Sequence, residues 1–305
     1  MMPVLRHGAD GSLAAPLSES PPRTWLTGLV GMGIAGSRSP EMHEREAACR
    51  GIPLVYRLLD FAALGLTVEA LPTVIDWAER LGFDGLNVTH PFKNAVISSL
   101  TSLSPDAQAL QAVNTIVFRD GGRRGHNTDV YGFTESLRTG LPGIAFERVV
   151  QVGAGGAAAA TGHALLGMGV RDLAIYDPVH DRAERLASRL GELFPQTRVR
   201  GIQSLEGAFA EAQGVVQTSP VGMSSHPGMP FDPALLRPEQ WIADIIYFPE
   251  ETALLKAARA RGCATLGGLG MAAYQAAAAF ALFTDLPADG ARMYRALQAG
   301  SADRS

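Results

Sequence analysis

From Trp25 onward, short runs of apolar and β-branched residues alternate with longer stretches whose apolar positions recur every three or four residues. WLTGLVG reads as a strand, PEMHEREAACRG as a helix, LVYRLLDF as a strand, VEALPTVIDWAERLG as a helix and DGLNVTH as a strand. This βαβαβ opening predicts a sheet with parallel pairs, because each helix carries the chain back to where the next strand starts. AVNTIVFRD, a turn at GGRRG and HNTD then predict a hairpin that closes the unit near residue 130. A second series opens at Arg148 and runs through RVVQVGAGGAAAATGHALLGMG, RDLAIYDP, HDRAERLASRLGELF, TRVRGI, LEGAFAEAQGVVQTSP, WIADIIYFP and TALLKAARARGC. Strand-like and helical pieces alternate throughout, the pattern of a doubly wound α/β sheet. The alanine-rich run from about Met271 to Thr284 predicts a long buried helix, and DGARMYRALQ a final amphipathic one. Both are expected to return to the first unit and brace it.

With 305 residues, the chain has room for two α/β units of roughly 100 to 200 residues each. Hydrophobic residues make up 47% and charged ones 18%, with 34 glycines and 19 prolines, which suits a globular protein with many tight turns. A net charge of -4 without any long Lys/Arg block makes nucleic acid and anionic membrane poor partners and points to a small molecule. The richest apolar stretch, MAAYQAAAAFALF, carries Gln275 and is too short to span a bilayer. Cys49 and Cys263 have no second Cys or paired His at metal-ligand spacing, so both are read as reduced thiols of a cytoplasmic protein. Residues 1–22 lack an apolar run of signal-peptide length and predict a disordered tail. Oligomeric state does not follow from these features, and a homodimer is left open.

VVQVGAGGAAAA places Gly153, Gly155 and Gly156, with Ala154 and Ala157 beside them, directly after an apolar strand and before a helix. A dinucleotide pyrophosphate needs that context, since backbone without side chains must approach the phosphates at a helix N-terminus with unpaired N–H groups. A tight strand-to-helix turn alone would also use such glycines. The next strand, DLAIYDP, ends in Asp177 at about the expected 20-odd residues from them, which favours the cofactor. A carboxylate there can accept both ribose hydroxyls of NAD and would repel a 2′-phosphate. Pro178 follows where an NADP reader would want a cation, and Arg182 lies further on, within the next helix. NAD is therefore the expected cofactor.

Hydride transfer between an alcohol and nicotinamide needs a group that takes the hydroxyl proton. No metal-ligand motif argues for a zinc-dependent alcohol dehydrogenase. Lys93 ends GLNVTHPFK at or near the start of a predicted helix, where a lysine is ordinarily a solvated charge. Asn127, Thr128 and Asp129 in GHNTDVYGF resemble an N-cap cluster, and capping alone would account for them. The two stretches occurring in this order, about 36 residues apart, change that reading.

The sequence resembles the shikimate dehydrogenases, most closely their NAD-dependent quinate/shikimate branch, from Trp25 to about Leu297. The likeness rests on SRSPEMHE (37–44), GLNVTHPFK (85–93), AVNT (112–115), GHNTDVYGF (125–133), VGAGGAAAA (152–160), DIIYFPEETALL (244–255) and GGLGMAAYQAAAAF (267–280). By that resemblance Lys93 and Asp129 are the catalytic pair, with Lys93 transferring the proton and Asp129 orienting it. Ser37 and Ser39 correspond to the carboxylate-binding hydroxyls, and Asn87, Thr89 and Asn114 to ligands of the ring hydroxyls. Gln275 is implied as a further ligand from the C-terminal helix, and Tyr247 and Gly268 sit where substrate and nicotinamide meet. Ser39 could equally cap the helix after Pro40, and Gln275 could be a satisfied polar group. The implied organisation is a tail over 1–22, a substrate-binding and catalytic domain over 23–130, a Rossmann NAD-binding domain over 131–266, and helices over 267–300 packing on the substrate domain.

Departures from the family bear on specificity. Many NADP-using members have Asn-Arg-Thr at Asp177, Pro178 and Val179. Many biosynthetic members have His and Asn where this chain has Gly36 and Glu44. Gln217 and Ser219 replace the usual Asn and Thr, and a modest adjustment of the nicotinamide wall is expected. The leading expectation is NAD-dependent interconversion of shikimate and 3-dehydroshikimate, with quinate and 3-dehydroquinate as a second pair. Ser39, where quinate-active relatives can carry threonine, favours shikimate. The competing expectation is a non-catalytic sensor that binds shikimate or quinate on the same fold, against which the retention of Lys93 and Asp129 argues.

Overall fold

A computed structural model describes residues 23–302, and in them strands and helices form two six-stranded sheets. The tail expected over residues 1–22 lies outside the described residues. The first sheet is built from β1 (Trp25–Gly31), α1 (Ser39–Cys49), β2 (Leu54–Asp60), the short α2 (Phe61–Leu64), α3 (Leu71–Arg80), β3 (Gly85–Val88), β4 (Ser102–Leu103), α4 (Pro105–Leu110), β5 (Thr115–Arg119) and β6 (Gly122–His126). Its order is β2-β1-β3-β5-β6-β4, with β1 parallel to β2 and β3, and β5 antiparallel to β3 and β6. The hairpin turn is tighter than the sequence suggested. Arg119 pairs with Gly122, so Asp120 (φ 52°) and Gly121 (φ 71°) alone form the loop, and Arg123 and Arg124 belong to β6. An Asp-Gly pair tolerates both left-handed positions, as a two-residue hairpin turn requires.

α5 (Asp129–Gly140) leads to the second sheet, which comprises β7 (Arg148–Val152), α6 (Ala158–Gly167), β8 (Asp172–Tyr176), α7 (His180–Leu193), β9 (Arg198–Ile202), α8 (Glu206–Glu211), β10 (Gly214–Gln217), β11 (Trp241–Asp244), α9 (Ala253–Ala260) and β12 (Ala264–Leu266). All its pairs are parallel, in the order β12-β11-β10-β7-β8-β9. This is the doubly wound arrangement, and its switch point lies between β7 and β10. The central strands are buried on both faces and largely apolar because helices cover both. α7 shows the matching stripe: Ala183, Leu186, Ala187 and Leu190 are buried at helical spacing.

α10 (Leu269–Thr284) and α11 (Gly290–Ala302) return to the first sheet. α10 lies so close to α5 that a Cβ on Gly132 would stand 2.7 Å from both Gln275 Cβ and Met271 O. Phe283 covers Gly85 of β3 in the same manner. Arg292 of α11 grips the buried Glu46 of α1 through both carboxylate oxygens, at 2.7 and 2.9 Å. The helix that begins at Ser39 is thereby fixed to the C-terminal helices.

Candidate active site

The site begins at the C-terminal ends of β1 and β3. Beyond β3 the chain does not enter an α-helix, as the sequence suggested, but makes a turn followed by a 3-10 segment, Ala95–Ser99. Pro91 and the residues around it favour this irregular path over regular helix. Phe92, buried against Phe61 with ring centroids 4.5 Å apart, anchors that turn, and Val113 donates its amide to the Lys93 carbonyl at 2.8 Å. The Lys93 side chain is thus held at its base, and its amino group reaches Asp129 Oδ2 at 2.6 Å.

Asp129 opens α5, yet the cluster around it does more than cap a helix. The Thr128 side chain makes no capping bond. Asn127 Oδ1 accepts the Asp129 amide at 3.1 Å while its Nδ2 donates to Ala112 O at 3.0 Å. Asn114 Nδ2 donates to Asp129 Oδ1 and to Thr128 Oγ1, both at 2.9 Å. One carboxylate oxygen is therefore held by Asn114 and the other faces Lys93, a charge-assisted pair with side chains 9% and 22% exposed. Lys93 is the more exposed member of the pair, and Asp129 is buried.

The network continues across the sheet. Thr115 Oγ1 donates to Asn114 Oδ1 and accepts from Asn87 Nδ2, each at 3.0 Å, and Tyr56 donates its hydroxyl to Asn87 Oδ1 at 2.8 Å. Burial pushes the Tyr56 phenol well above its usual range, with the Ser39 hydroxyl acting in the opposite sense, so Tyr56 stays protonated and donating. His43 stacks on the Tyr56 ring at 4.7 Å, and burial holds its imidazole down to about 3, in the neutral form. Ser37 and Ser39 lie at the N-terminus of α1, their oxygens 3.1 Å apart. Arg38 occupies the N-cap position without a side-chain cap bond, so Ser39 is not the capping residue. Glu44 accepts the Tyr56 amide at 3.0 Å and satisfies the outer edge of β2.

Thr89 fills the space over Gly31, where a Cβ would stand 2.5 Å from its methyl group. Gln275 reaches the cluster from α10, its Oε1 accepting the Thr128 hydroxyl at 3.4 Å. Both amide hydrogens of Asn114 go to Thr128 and Asp129, and its Oδ1 accepts from the Thr128 amide and the Thr115 hydroxyl, so contact with a substrate hydroxyl requires one of these bonds to be exchanged. Tyr247 and Gly268 lie elsewhere, beyond β11, where the Gly268 amide donates at 3.2 Å to the carbonyl of Ile246, the residue before Tyr247. No side-chain hydrogen bond among the described residues joins that pair to the Lys93 cluster.

The residues after β7 fit a dinucleotide. Gly153 has φ 106°, and a Cβ there would stand 2.7 Å from Ser219 N and Thr218 Oγ1. Built Cβ atoms on Gly155 and Gly156 meet nothing within 4 Å, leaving open backbone before α6. Ala157, at the N-cap of α6, offers no side-chain cap to the helix N–H groups. Asp177 Oδ2 accepts the Ala154 amide and Oδ1 the Val179 amide, both at 2.9 Å, so the carboxylate is tied to the glycine loop itself. Gln217 is fully buried and donates to Ser219 O, Ser219 Oγ and Val221 O. Any effect it has on the nicotinamide wall passes through this loop.

Two family models match the chain: the shikimate dehydrogenase substrate binding domain over residues 29–116 and the shikimate 5′-dehydrogenase C-terminal domain over 268–298. A shikimate dehydrogenase (NADP(+)) of Streptomyces avermitilis is 49% identical over 272 residues, 88% of this chain and 94% of the relative. A quinate/shikimate dehydrogenase (NAD(+)) of Corynebacterium glutamicum is 45% identical over 88% of this chain and 96% of its own. Among solved structures, quinate dehydrogenase from Corynebacterium glutamicum in complex with NAD superposes with a TM-score of 0.85 at 43% identity, covering 90% of this chain and 99% of that one. Fold and relatives together define an oxidoreductase that uses a pyridine nucleotide. The chain belongs to the shikimate dehydrogenase family.

Proposed function

We propose that the protein catalyses the reversible NAD-dependent oxidation of shikimate to 3-dehydroshikimate, with quinate as a poorer substrate. The observation that carries this reading is the 2.6 Å contact between Lys93 Nζ and Asp129 Oδ2, with the lysine partly exposed beside a buried carboxylate. The residues around the glycine loop and Asp177 would hold a pyridine nucleotide, which would supply the hydride acceptor for the carbinol carbon. Lys93 enters the oxidation as the neutral amine, takes the hydroxyl proton to become the ammonium paired with Asp129, and as the ammonium returns that proton to the carbonyl oxygen in the reverse direction. Asp129 keeps the amine in place and is kept in place by Asn114 and Asn127. Ser37 and Ser39 bind the substrate carboxylate, while Asn87, Thr89, Asn114 and Gln275 orient the ring hydroxyls. Tyr247 and Gly268 line the junction with the nicotinamide.

Selection of NAD is supported by Asp177, whose negative charge stands beside the glycine loop with proline next to it and would repel a 2′-phosphate. The relatives include both NAD- and NADP-named enzymes, so the argument rests on this chain's own carboxylate. Initial rates of NADH and NADPH formation with shikimate and with quinate test the reading. NADH formation with shikimate is expected to be fastest. Absence of turnover with every pairing would leave a binding protein in place of an enzyme.

A further inference from the structure

Asp244 ends β11 at the cofactor edge of the second sheet and is only 2% exposed. Both of its oxygens are used. Oδ1 accepts the Ile246 amide at 3.1 Å, and Oδ2 accepts the Thr252 hydroxyl at 2.8 Å. Thr252 is fully buried and caps α9, its Oγ1 accepting the Leu255 amide at 3.2 Å. A hydroxyl has one proton to donate, so the same oxygen serves the helix with a lone pair and Asp244 with its hydrogen.

Between these two anchors the chain makes the turn that presents Tyr247 and Phe248, which are 48% and 68% exposed. Ile246 O accepts the Gly268 amide at 3.2 Å, and a Cβ on Gly268 would fall 2.2 Å from Ile245 O. The Tyr247 turn, the Gly268 turn and the start of α9 are therefore joined through one carboxylate. Burial pushes this carboxyl up to about 6, and the bonds from Ile246 and Thr252 only partly oppose that. A buried ionisable group that costs stability is a departure from local consistency of the kind found at functional sites.

We propose that Asp244, acting through Ile246 and Thr252, is a positioning residue that sets Tyr247 and Gly268 for the reacting ends of substrate and nicotinamide. The proposal rests on the reading above that these two residues line that junction.

The test uses the full chain with Thr252→Val, Thr252→Ser and Asp244→Asn. Amide hydrogen exchange at Ile246 and Gly268 is measured without ligand, alongside steady-state rates with NAD and shikimate. Thr252→Val is expected to speed exchange at both amides by about tenfold or more, with the β7 amides unchanged. It should also lower kcat/KM by about ten- to a hundredfold. Thr252→Ser should restore both. Asp244→Asn keeps the size and the Ile246 bond, but its amide can only donate to Thr252 and leaves the hydroxyl proton without its acceptor; it should shift both readouts in the same direction, by less than the valine, and it carries the test should the valine variant fail to fold. Faster exchange with unaltered kinetics would reduce Asp244 to a helix brace, and unaltered exchange would remove the clasp altogether. A wild-type protein inactive on shikimate and quinate would overturn the reading of the site, whereas an active wild type with equally active variants would overturn only the role of Asp244.

Discussion

Lys93 and Asp129 are separated by 36 residues in the chain and by 2.6 Å in space. Lys93 comes from the turn after β3 and Asp129 from the first turn of α5, and Asn114, just before β5, holds the second carboxylate oxygen at 2.9 Å. The pair is therefore set by three separate segments, and its partners differ in accessibility. This asymmetry is what the proposed roles require, a partly exposed amine beside a fixed carboxylate. Lys93→Ala should lower kcat by about 10²- to 10⁴-fold with little change in NAD affinity, because the amine acts on the hydroxyl and not on the adenosine half. Near-normal turnover, measured with saturating NAD and shikimate, would remove Lys93 from the mechanism.

Asp129→Asn tests the orienting partner. The amide oxygen can keep the bond from Asn114, but the amide nitrogen then faces Lys93 Nζ, donor against donor. A fall in kcat on the order of 10²-fold is expected, with a normal melting temperature. Unchanged activity across neutral pH would leave Asp129 only its place in the helix.

Asp177→Ala combined with Pro178→Arg should weaken NAD and favour NADP. The variant loses the repulsive carboxylate and gains a guanidinium suited to a 2′-phosphate. It also loses the ties to the Ala154 and Val179 amides, so some loosening of the glycine loop should accompany the change. The ratio of kcat/KM values for the two cofactors is the measurement. A ratio equal to that of the wild type would place the adenosine ribose elsewhere.

Ser39→Thr should raise the quinate-to-shikimate ratio of kcat/KM. The hydroxyl is kept and, in the proposed binding mode, a methyl group is added beside the carbon where quinate carries its extra hydroxyl. A change of that size is worth about 1 to 3 kcal/mol, enough to reorder two similar substrates. Ser39→Ala should weaken both, since each loses a hydrogen bond to its carboxylate. Rates for the two substrates at fixed NAD decide the matter, and full activity of the alanine variant would move selectivity to Asn87, Thr89 and Gln275.

His43 gives a dependence of stability on pH. Its folded value of about 3 lies below the ordinary 6.5, so between these values the unfolded chain binds the proton and the folded chain does not. Stability is then lost as pH falls below about 6.5, at up to about 1.4 kcal/mol per pH unit from this group. His43→Leu should flatten the decline of melting temperature between pH 6.5 and 4.5 relative to wild type, whatever its effect at pH 7. Parallel curves for the two proteins would show that His43 is not buried in its neutral form.

The order of strands and helices was legible in the sequence because periodicity reports which face of each element is covered, and that is a local property. The glycine loop and Asp177 were legible for a related reason: strand, turn and helix are consecutive, so their spacing alone places the acid at the next strand tip. GLNVTHPFK and GHNTDVYGF could be paired only through resemblance to a family, since nothing local says that Lys93 faces Asp129. What the tertiary structure alone decided is the company these residues keep. Tyr56 and Thr115 carry no signal in their own strands, yet parallel and antiparallel register puts them on either side of Asn87. Asn114, implied as a substrate ligand by the family resemblance, also donates to Thr128 and Asp129, which the motif does not show. A hydrogen bond depends on distances near 3 Å between atoms on separate elements, and those distances are set when the elements pack, not by the period or spacing along any one of them.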